Sequence, residues 1–422
     1  MTLFDEFQWR GMVYDATDGA SEMLAKEKVT CYIGFDPTAS SLHVGSLLPI
    51  MALARLQRYG HSPIALVGGG TGMIGDPSGK SQERSLLSIE EIDQNARGMR
   101  AQLERFLDFN AKPNAARMMN NADWLRRIGL LEFLRDTGKH FTVNYMLAKE
   151  SVKRRLGGDE GISFTEFSYL LLQAHDFLHL HDAVGCTLQM GGSDQWGNIV
   201  AGSDLIRKVR GAKANGLVLP LVTTAAGSKF GKTEAGTVWL DRERTSPFNF
   251  YQFWLNTDDR DVTKYLKFFT WLDRAMIDAL EKTVTEAPEK RDAQRTLARE
   301  LTSMLHGAGE LDRAERASKV LFGGSLADAT VEDILMVFDD VPATELRADE
   351  LASFPANALV AHAGLAASKG EATRLIKQGG IYLNDRRVTD ERSAVTVADA
   401  IGGRVIVLRK GQRDRRVVRI VS

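Results

Sequence analysis

Short apolar runs and helix-like periodicities alternate along residues 1–222 of the chain. Residues 29–35 predict a buried strand that ends in the turn Asp36-Pro37-Thr38, and residues 64–67 predict a second strand. Between them, apolar residues recur at the i, i+3, i+4, i+7 spacing of an amphipathic helix, at Val44, Leu47, Leu48 and Met51. This alternation is typical of a mostly parallel sheet covered by helices, an α/β fold of the Rossmann-like kind.

The remainder of the chain divides into three further segments. Within residues 223–322, the pattern turns helical from about residue 246 to residue 321, with many Ala, Leu, Glu and Arg and few β-branched runs. Residues 323–354 contain Gly323, Gly324 and Pro342, and predict a linker with one short helix. Residues 355–422 predict a compact α-then-β unit, in which a helix near residues 371–378 stops at Gly379-Gly380.

Composition places the chain among globular proteins of a reducing compartment. Of its 422 residues, 44% are hydrophobic, and the two cysteines, Cys31 and Cys186, are too few for a disulfide framework or a structural zinc site. No apolar run approaches the roughly 20 residues that span a bilayer. Residues 1–10 lack the basic-then-apolar pattern of a secretory signal. We therefore expect a soluble, cytoplasmic protein without a membrane partner.

Charge is distributed unevenly along the chain. The total net charge is −1, but residues 355–422 hold 13 basic and 6 acidic residues, a net charge of +7 that leaves −8 on the rest. A basic tail on an acidic body suggests that an anionic polymer is held by the tail while chemistry occurs elsewhere. A solvated basic surface accounts for the same charge equally well.

Two glycine motifs resemble nucleotide-binding signatures but fail on their context. Gly70-x-Gly72-x-x-Gly75 has the dinucleotide spacing, yet residues 76–79 break the helix that a pyrophosphate site requires. Residues 75–81 resemble a P-loop, with three residues instead of four between the glycines. Lys80 and Arg84 follow this loop, where two cations can meet an anion, although each taken alone is an ordinary surface charge.

Two segments carry residues that suit a polyphosphate. In the first signature segment, residues 36–46, His43 lies near a predicted helix start, where unpaired N–H groups and positive partial charge favour phosphate, and Gly45 leaves room for a flat group such as a purine. The second signature segment, residues 229–233, has two lysines that can fold over a polyphosphate. Taken singly, such a histidine is more often structural and Lys-x-x-Lys is ordinarily solvated surface.

The helix predicted from Ser163 has one face of unusual composition. Ser163 and Glu166 match a capping box, and five apolar residues form a core face: Phe167, Leu170, Leu171, Ala174 and Leu178. Tyr169, Gln173 and Asp176 fall within about 60° of each other on the opposite face. Residues 164–180 contain no lysine or arginine, which an exposed helix face would normally carry, so we expect this face to line an enclosed polar pocket. A purely structural hydrogen-bond network is the alternative.

Taken together, the two signature segments resemble the His-x-Gly-His and Lys-Met-Ser-Lys-Ser signatures of the class I aminoacyl-tRNA synthetases. The wider context resembles the bacterial tyrosyl-tRNA synthetases, in four long segments at residues 32–39, 71–80, 164–173 and 191–198. The basic tail resembles the S4-type RNA-binding module of these enzymes, so the resemblance covers essentially the whole chain. Four positions depart from the family pattern: Ser46 replaces the second histidine, Phe230-Gly231 replaces Met-Ser, and Ile33 stands where many relatives have cysteine.

The resemblance implies a tyrosine–tRNA ligase that forms tyrosyl-adenylate and pyrophosphate from L-tyrosine and ATP, and then transfers the tyrosyl group to the 3′ end of tRNA(Tyr). It implies ATP as a substrate accompanied by Mg²⁺, no permanently bound cofactor, no metal-ligand set in the protein, and a homodimer. It divides the chain into a Rossmann-like catalytic domain (1–222), a signature loop (229–233) with an α-helical anticodon-side domain (223–322), a linker (323–354) and an S4-type RNA-binding domain (355–422).

The resemblance also assigns residues to roles. Tyrosine would be bound by Tyr32 and Asp176 at its hydroxyl, by Asp76, Tyr169 and Gln173 at its ammonium group, and by Gln195. The catalytic set around the phosphates would be Thr38, His43, Lys80, Arg84, Lys229, Lys232 and Thr233. ATP and the adenylate would be held by Gly34, Asp36, His43, Gly45, Gly192, Asp194 and Lys232.

Two other functions remain open from the sequence. The sister synthetase for tryptophan is the nearest enzyme, but it has no need for Tyr32 and Asp176 at a phenol and lacks an S4-type tail. An RNA-binding protein built on an inactive synthetase body is a different class of answer, and the intact His43, Lys229 and Lys232 argue against it.

Overall fold

A six-stranded sheet is the framework of the amino-terminal part of the computed structural model. Its strands are β1 (Asp15–Ala16), β2 (Thr30–Phe35), β3 (Ser62–Val67), β4 (Arg117–Asn120), β5 (Cys186–Gly192) and β6 (Asn215–Leu219). Their order is β1-β6-β5-β2-β3-β4, and all neighbours are parallel except β1 and β6. The Rossmann-like parallel sheet is thus confirmed. Because the chain proceeds from β2 toward opposite edges, the switch point at which such sheets bind ligands lies between β2 and β5.

The structure describes residues 1–78, 87–157, 161–227, 230–233, 236–321, 326, 330–338, 341–351, 354–411 and 414–421. They form two units: Met1–Thr245 with Phe253–Leu305, and Ser246–Gln252 with His306–Ser422. In these ranges, no helix has the length and apolar character needed to cross a membrane. The division into four segments expected from the sequence stays a prediction.

Fourteen helices precede residue 307 in the described ranges. They are α1 (Leu3–Trp9), α2 (Ala20–Lys26), α3 (Leu47–Arg58), α4 (Ile89–Leu103), α5 (Ala122–Leu125), α6 (Leu130–Asp136), α7 (Val143–Leu147), α8 (Glu150–Leu156), α9 (Phe164–Val184), α10 (Trp196–Arg210), α11 (Pro247–Leu255), α12 (Asp259–Phe269), α13 (Arg274–Glu286) and α14 (Asp292–His306). A two-stranded hairpin, β7 (Lys232–Thr233) and β8 (Gly236–Thr237), follows the central sheet.

The second unit contains the predicted α-then-β arrangement. Its elements are α15 (Ala308–Leu321), α16 (Val331–Val337), β9 (Ala343–Arg347), α17 (Ala348–Leu351), β10 (Phe354–Pro355), α18 (Ala356–His362), α19 (Lys369–Lys377), β11 (Ile381–Leu383), β12 (Arg386–Arg387), β13 (Ala394–Val395), β14 (Val405–Lys410) and β15 (Asp414–Val421). The main sheet has the order β12-β11-β14-β15-β9. Part of the segment expected as a linker therefore joins this sheet, because β9 pairs in parallel with β15.

The long helix α9 packs on the central sheet through the apolar face expected from its periodicity. Leu170, Leu171, Ala174 and Leu178 belong to one buried cluster, and Phe167 packs against it. The Ser163 side chain accepts a hydrogen bond from the Glu166 N–H, as a helix cap does. The Glu166 carboxylate has a different partner from the one a capping box supplies: it lies 2.9 Å from Arg155 Nη1 in a buried ion pair.

Two arginines fasten the end of α12 to the helices that flank the first strands. Arg55 of α3 donates to the carbonyl oxygens of Phe268 (2.8 Å) and Thr270 (2.6 Å). Arg10, just after α1, donates to the carbonyl oxygen of Lys267 at 2.8 Å. The last carbonyl groups of a helix lack intrahelical partners, so these guanidinium groups satisfy them and fix α12 against α3.

Replacing Arg55 with alanine is expected to lower the free energy of unfolding by about 3 kcal/mol, because buried carbonyl groups lose charged donors. Arg58→Ala is the matched control: Arg58 is exposed and stacks on Trp271 with its guanidinium 3.3 Å from the ring centroid. It should cost about 1 kcal/mol or less. Urea denaturation followed by tryptophan fluorescence measures both, and equal losses would contradict the role given to Arg55.

Candidate active site

A cavity of about 540 Å³ opens at the carboxyl ends of β2, β3 and β5, at the switch point of the sheet. Fourteen of the residues expected at a ligand site line it: Tyr32, Gly34, Asp36, Thr38, His43, Gly45, Asp76, Tyr169, Gln173, Asp176, Gly192, Asp194, Gln195 and Lys232. Lys80, Arg84 and Lys229 lie outside the described residues. For Thr233 the structure describes the backbone, which pairs with Gly236 across the β7–β8 hairpin.

Asp176 is buried at one end of this cavity and is held by two neutral donors. The Asn121 side-chain amide donates to Oδ2 and the Trp124 indole donates to Oδ1, each at 2.8 Å. Burial raises the pKa of Asp176 to about 7, although both donors act in the opposite direction. Sequence reasoning missed Asn121 and Trp124. Their position directly after β4, at the carboxyl end of a parallel strand, is the signal that points to them.

Tyr32 brings a buried hydroxyl group to the same region. Its side chain is 1% exposed, and its hydroxyl oxygen has no hydrogen-bond partner among the residues that the structure describes. Burial raises the pKa of Tyr32 well above its ordinary value, and the nearby charge of Asp176 adds to this effect. Since buried polar groups are rarely left unsatisfied, this hydroxyl is suited to a polar group of a ligand.

Carboxylate and amide oxygens form a second polar region of the cavity. Asp76 accepts hydrogen bonds from the Gln195 side chain at 2.7 Å and from the Ser78 N–H at 2.8 Å. The Asn198 amide donates to both Gln195 and Gln173, at 3.2 and 3.0 Å. Asn198 was not anticipated from the sequence. The set orients two amide oxygens and one carboxylate within one network, an arrangement that suits a cationic group.

Tyr169 connects this network to the end of β2. Its hydroxyl group lies 3.4 Å from both carboxylate oxygens of Asp36, and Thr71 Oγ1 lies 3.3 Å from Asp36 Oδ1. Burial and the charges of Asp36 and Asp76 raise the pKa of Tyr169 well above its ordinary value. Tyr169 is therefore neutral at physiological pH and acts as a hydrogen-bond donor.

His43 caps the short 3₁₀ turn Val44–Ser46, which precedes α3. Its Nδ1 atom accepts a hydrogen bond from the Gly45 N–H at 3.0 Å, an interaction that requires Nδ1 to be unprotonated. A Cβ atom on Gly45 would lie 2.7 Å from the His43 ring. The sequence analysis related Gly45 to a flat ligand group, whereas the structure shows that the histidine ring itself excludes a side chain there.

The first signature segment is joined by main-chain hydrogen bonds to residues 238–240, which follow the second signature segment. The Val44 N–H donates to the Val238 carbonyl oxygen at 3.0 Å, and the Leu240 N–H donates to the Leu42 carbonyl oxygen at 2.9 Å. Gly231 has a φ of +78°, and a Cβ atom there would lie 2.6 Å from the Val44 side chain. A glycine at this position is therefore required both by the backbone conformation and by the close approach of the two segments.

Phe230 anchors the second signature segment in an aromatic cluster. It is 5% exposed, and its ring centroid lies 4.9 to 5.9 Å from four others, those of Phe253, Trp254, Tyr265 and Phe269. Lys232 lies two residues further on, with an exposed side chain that contacts Thr237 Oγ1. The departure at Phe230-Gly231 thus keeps a buried anchor next to a lysine at the edge of the cavity.

Within the described ranges, no group of three or more His, Cys, Asp or Glu side chains has an arrangement that could hold a metal ion. Buried carboxylates and a phenol lie at one end, and a histidine, a helix start and a lysine lie at the other.

Comparisons with known proteins agree with this geometry. The family model for class I tRNA synthetases (W and Y) matches residues 24–323, and the model for the tyrosine–tRNA ligase SYY-like C-terminal domain matches residues 333–418. The tyrosine–tRNA ligase of Roseiflexus castenholzii is 56% identical over 422 residues, with 100% of both chains covered. That of Geobacillus stearothermophilus is 52% identical, covering 99% of this chain and 100% of its own.

A solved structure gives the same relationship. The C-terminally truncated mitochondrial tyrosyl-tRNA synthetase of Aspergillus nidulans is 31% identical, with a TM-score of 0.69 over 76% of this chain and 94% of its own. The tryptophanyl-tRNA synthetase of Encephalitozoon cuniculi, 16% identical with a TM-score of 0.53 over 73% of this chain and 87% of its own, shares the fold. Fold alone therefore does not separate the two amino acids, but the full-length relatives and the carboxy-terminal model do. The chain belongs to the class I tRNA synthetases, in the tyrosine–tRNA ligase branch.

Proposed function

We propose that the cavity performs tyrosine activation with the phenol of L-tyrosine against Tyr32 and Asp176 and the triphosphate of ATP against His43 and Lys232. The observation that carries this assignment is the pair of buried groups at one end of the cavity. The Tyr32 hydroxyl lacks a partner in the described part of the chain, and Asp176 retains acceptor capacity beyond its two neutral donors. A phenol satisfies both groups.

Discrimination against phenylalanine follows from the same pair. A substrate without a hydroxyl group would leave the Tyr32 hydroxyl and a lone pair of Asp176 buried and unsatisfied, which costs free energy that tyrosine binding avoids. The indole of tryptophan is larger and presents its N–H at a different place on the ring. The pocket therefore selects its substrate by hydrogen bonding at the far end of the aromatic ring.

The network around Asp76 is assigned to the ammonium group of tyrosine. Asp76, Tyr169 and Gln173 supply the acceptors for this cation, while Gln195 and Asn198 keep Asp76 and Gln173 in orientation. Binding at both ends of the substrate places its carboxylate toward the phosphate side. Positioning of this kind converts a bimolecular encounter into a step within one complex.

In the first step, a carboxylate oxygen of tyrosine attacks the α-phosphorus of ATP, and the bond to the departing pyrophosphate breaks. The substrate is its own nucleophile, so catalysis is positioning plus stabilisation of charge on the phosphates. Thr38 and His43 are assigned to the γ-phosphate, and Lys232 and Thr233 to the pyrophosphate. Lys80, Arg84 and Lys229, which lie outside the described residues, are assigned to the pyrophosphate from the sequence. Mg²⁺ would enter with ATP as part of the substrate.

In the second step, the 2′- or 3′-hydroxyl group of the terminal tRNA nucleotide attacks the carbonyl carbon of tyrosyl-adenylate, and AMP leaves. The adenylate is assigned to Gly34 and Asp36 at the end of β2 and to Gly192 and Asp194 at the end of β5. Gly45, in the turn before α3, is assigned to it as well. The basic tail, residues 355–422, is assigned to tRNA(Tyr), and its net charge of +7 supports this assignment. We place the enzyme in the cytoplasm, without a permanently bound cofactor.

A homodimer is supported by apolar side chains left in contact with solvent. Leu131 on α6 is 79% exposed and Phe164 at the start of α9 is 77% exposed. Leu130, Leu134 and Val143, on α6 and α7, are exposed as well. Soluble monomers rarely expose so many large apolar residues on neighbouring stretches of chain, so a second copy of the chain is the proposed cover.

The affinity for tyrosine is expected to fall as pH is lowered through about 7, which is the pKa of Asp176. A phenolic O–H donates to the ionised carboxylate, so bound tyrosine favours the ionised form and the proton held by the free enzyme must first leave. The dissociation constant should therefore rise by up to about tenfold per pH unit below that pKa and stay flat above it. Equilibrium dialysis between pH 5.5 and 8 measures it.

Asp176→Asn should bind tyrosine more weakly at every pH and lose this pH dependence. His43→Asn, at the phosphate end, serves as the control, and its tyrosine dissociation constant should keep the same dependence on pH. A slope that persists in Asp176→Asn would mean that another group is responsible and that the phenol does not meet Asp176.

Lys232→Ala is expected to slow tyrosyl-adenylate formation by about 100-fold or more while leaving tyrosine affinity within about twofold, because the lysine meets charge that develops on the departing pyrophosphate. Single-turnover kinetics and equilibrium dialysis separate the two quantities. Lys26→Ala, at the exposed end of α2, is the matched control and should change neither. A collapse of tyrosine affinity in Lys232→Ala would show that the role is misassigned.

Leu131→Asp is expected to shift the chain from dimer to monomer at micromolar concentration, because a charge would be buried at the apolar contact. Sedimentation equilibrium measures the shift. Met276→Asp, on the exposed face of α13, is the control and should leave the dimer intact. An unchanged dimer in Leu131→Asp would place the contact on another surface.

A further inference from the structure

One face of α4 is turned to the main chain of the first signature segment. Asn95, Gly98 and Gln102 follow each other at the i, i+3, i+7 spacing and share this face. The Asn95 amide donates to the Pro37 carbonyl oxygen at 2.9 Å, and Gln102 Oε1 accepts from the Leu42 N–H at 2.8 Å. Between them, Gly98 allows so close an approach that a Cβ atom there would lie 2.1 Å from the Ser40 carbonyl oxygen.

Gln102 is also connected to Asp241, which follows the second signature segment in the chain, through the hydroxyl group of Ser41. Its Nε2 atom donates to Ser41 Oγ at 3.0 Å, Ser41 Oγ donates to the Leu42 carbonyl oxygen at 2.7 Å, and the Asp241 N–H donates to Ser41 Oγ at 3.1 Å. Both side chains are buried, Gln102 at 9% and Ser41 at 4% exposure. Leu42, the residue before His43, is thus held at its N–H by Gln102 and at its carbonyl oxygen by the Leu240 N–H and the Ser41 hydroxyl group.

These polar contacts are separate from the packing of α4. Ile92, Met99 and Leu103 bury the apolar side of the helix and account for its attachment to the fold. A buried glutamine that uses both ends of its amide on one loop contributes orientation rather than hydrophobic burial. Two of the contacts, those of Asn95 with Pro37 and of Gln102 Oε1 with Leu42, are made to main-chain atoms and therefore fix the path of residues 37–42 directly.

We propose that Asn95, Gly98 and Gln102 are positioning residues for adenylate formation, which set Thr38 and His43 against the triphosphate by fixing the main chain of residues 37–42. The inference rests on the proposed roles of Thr38 and His43. It deepens them by naming the element that holds both residues, which is a helix outside the two signature segments. Small displacements of a catalytic group are costly, so loss of this support should appear in the ATP-dependent step.

Gln102→Ala removes the acceptor for the Leu42 N–H and the donor to Ser41. We expect kcat/KM for ATP in tyrosine-dependent pyrophosphate exchange to fall by about 10- to 100-fold, and the tyrosine dissociation constant to stay within about twofold. Gln94→Ala is the matched control, since Gln94 is an exposed glutamine of the same helix, and it should change neither value. An equal loss of tyrosine affinity and ATP reactivity in Gln102→Ala would overturn the proposal.

Gly98→Ala tests the same idea without weakening the helix. Alanine favours a helix over glycine by about 1 kcal/mol, so α4 itself should be no less stable. The new Cβ atom must displace the Ser40 carbonyl group, and with it the segment that contains Thr38 and His43. The proposal expects an ATP-selective loss in a variant that remains folded and binds tyrosine; full activity of Gly98→Ala would contradict it.

A double-mutant cycle with His43→Asn separates this inference from the proposed function. If Gln102 acts through His43, the loss in Gln102→Ala should largely disappear in the His43→Asn background, whereas full additivity would overturn the inference. If His43→Asn slows exchange and Gln102→Ala and Gly98→Ala do not, the proposed function stands and the inference fails. If His43→Asn is silent and both α4 variants lose ATP reactivity selectively, the role of His43 is wrong, and the support of residues 37–42 by α4 stands.

Discussion

The main-chain pairing between residues 42–44 and 238–240 is the interaction on which the end of the cavity with His43 and Lys232 depends. It brings together two segments that are remote in sequence, and it does so through N–H and carbonyl groups that every residue except proline supplies. The pairing leaves little choice at Gly231, where a positive φ and the Val44 side chain both exclude a Cβ atom. Given this pairing, His43 and Lys232 face the same cavity, and neither segment alone would form that part of it.

On the side of the cavity that contains Asp76 and Asp176, both carboxylates are held by neutral hydrogen-bond donors. The described donors to Asp176 are an amide and an indole, and those to Asp76 are an amide and a main-chain N–H. A lysine or arginine in those places would satisfy the charge and leave little for a ligand to gain. Neutral donors fix the orientation of a carboxylate while preserving its capacity to accept from a phenol or an ammonium group.

Sequence reasoning was most successful where function and periodicity coincide. Burial produces a periodic pattern of apolar residues in the sequence. This pattern predicted the strand before Asp36 and the face of α9 with Tyr169, Gln173 and Asp176, and the structure brings both to the cavity. Contacts between remote residues produce no such pattern. Asn121 and Trp124 are more than 50 positions from Asp176, and β9 joins its sheet beside a strand near the end of the chain. Gln102, read along the sequence alone, looks like one more polar residue of an amphipathic helix.

The two signature segments are also connected outside the cavity, through the contacts of α12 with Phe230 and with α3. Phe230 inserts among rings that include Tyr265 and Phe269 of α12, and the end of α12 is bonded to Arg55 of α3. The first signature segment leads directly into α3. His43 is therefore connected to Phe230 by a continuous series of contacts, which passes along α3 to Arg55 and from there through α12. Helix α12 and its buried rings thus fix Phe230 within the second signature segment. Lys232 lies two residues further on, where its exposed side chain contacts Thr237 Oγ1 at the edge of the cavity, so this short segment combines a buried anchor with an exposed cation.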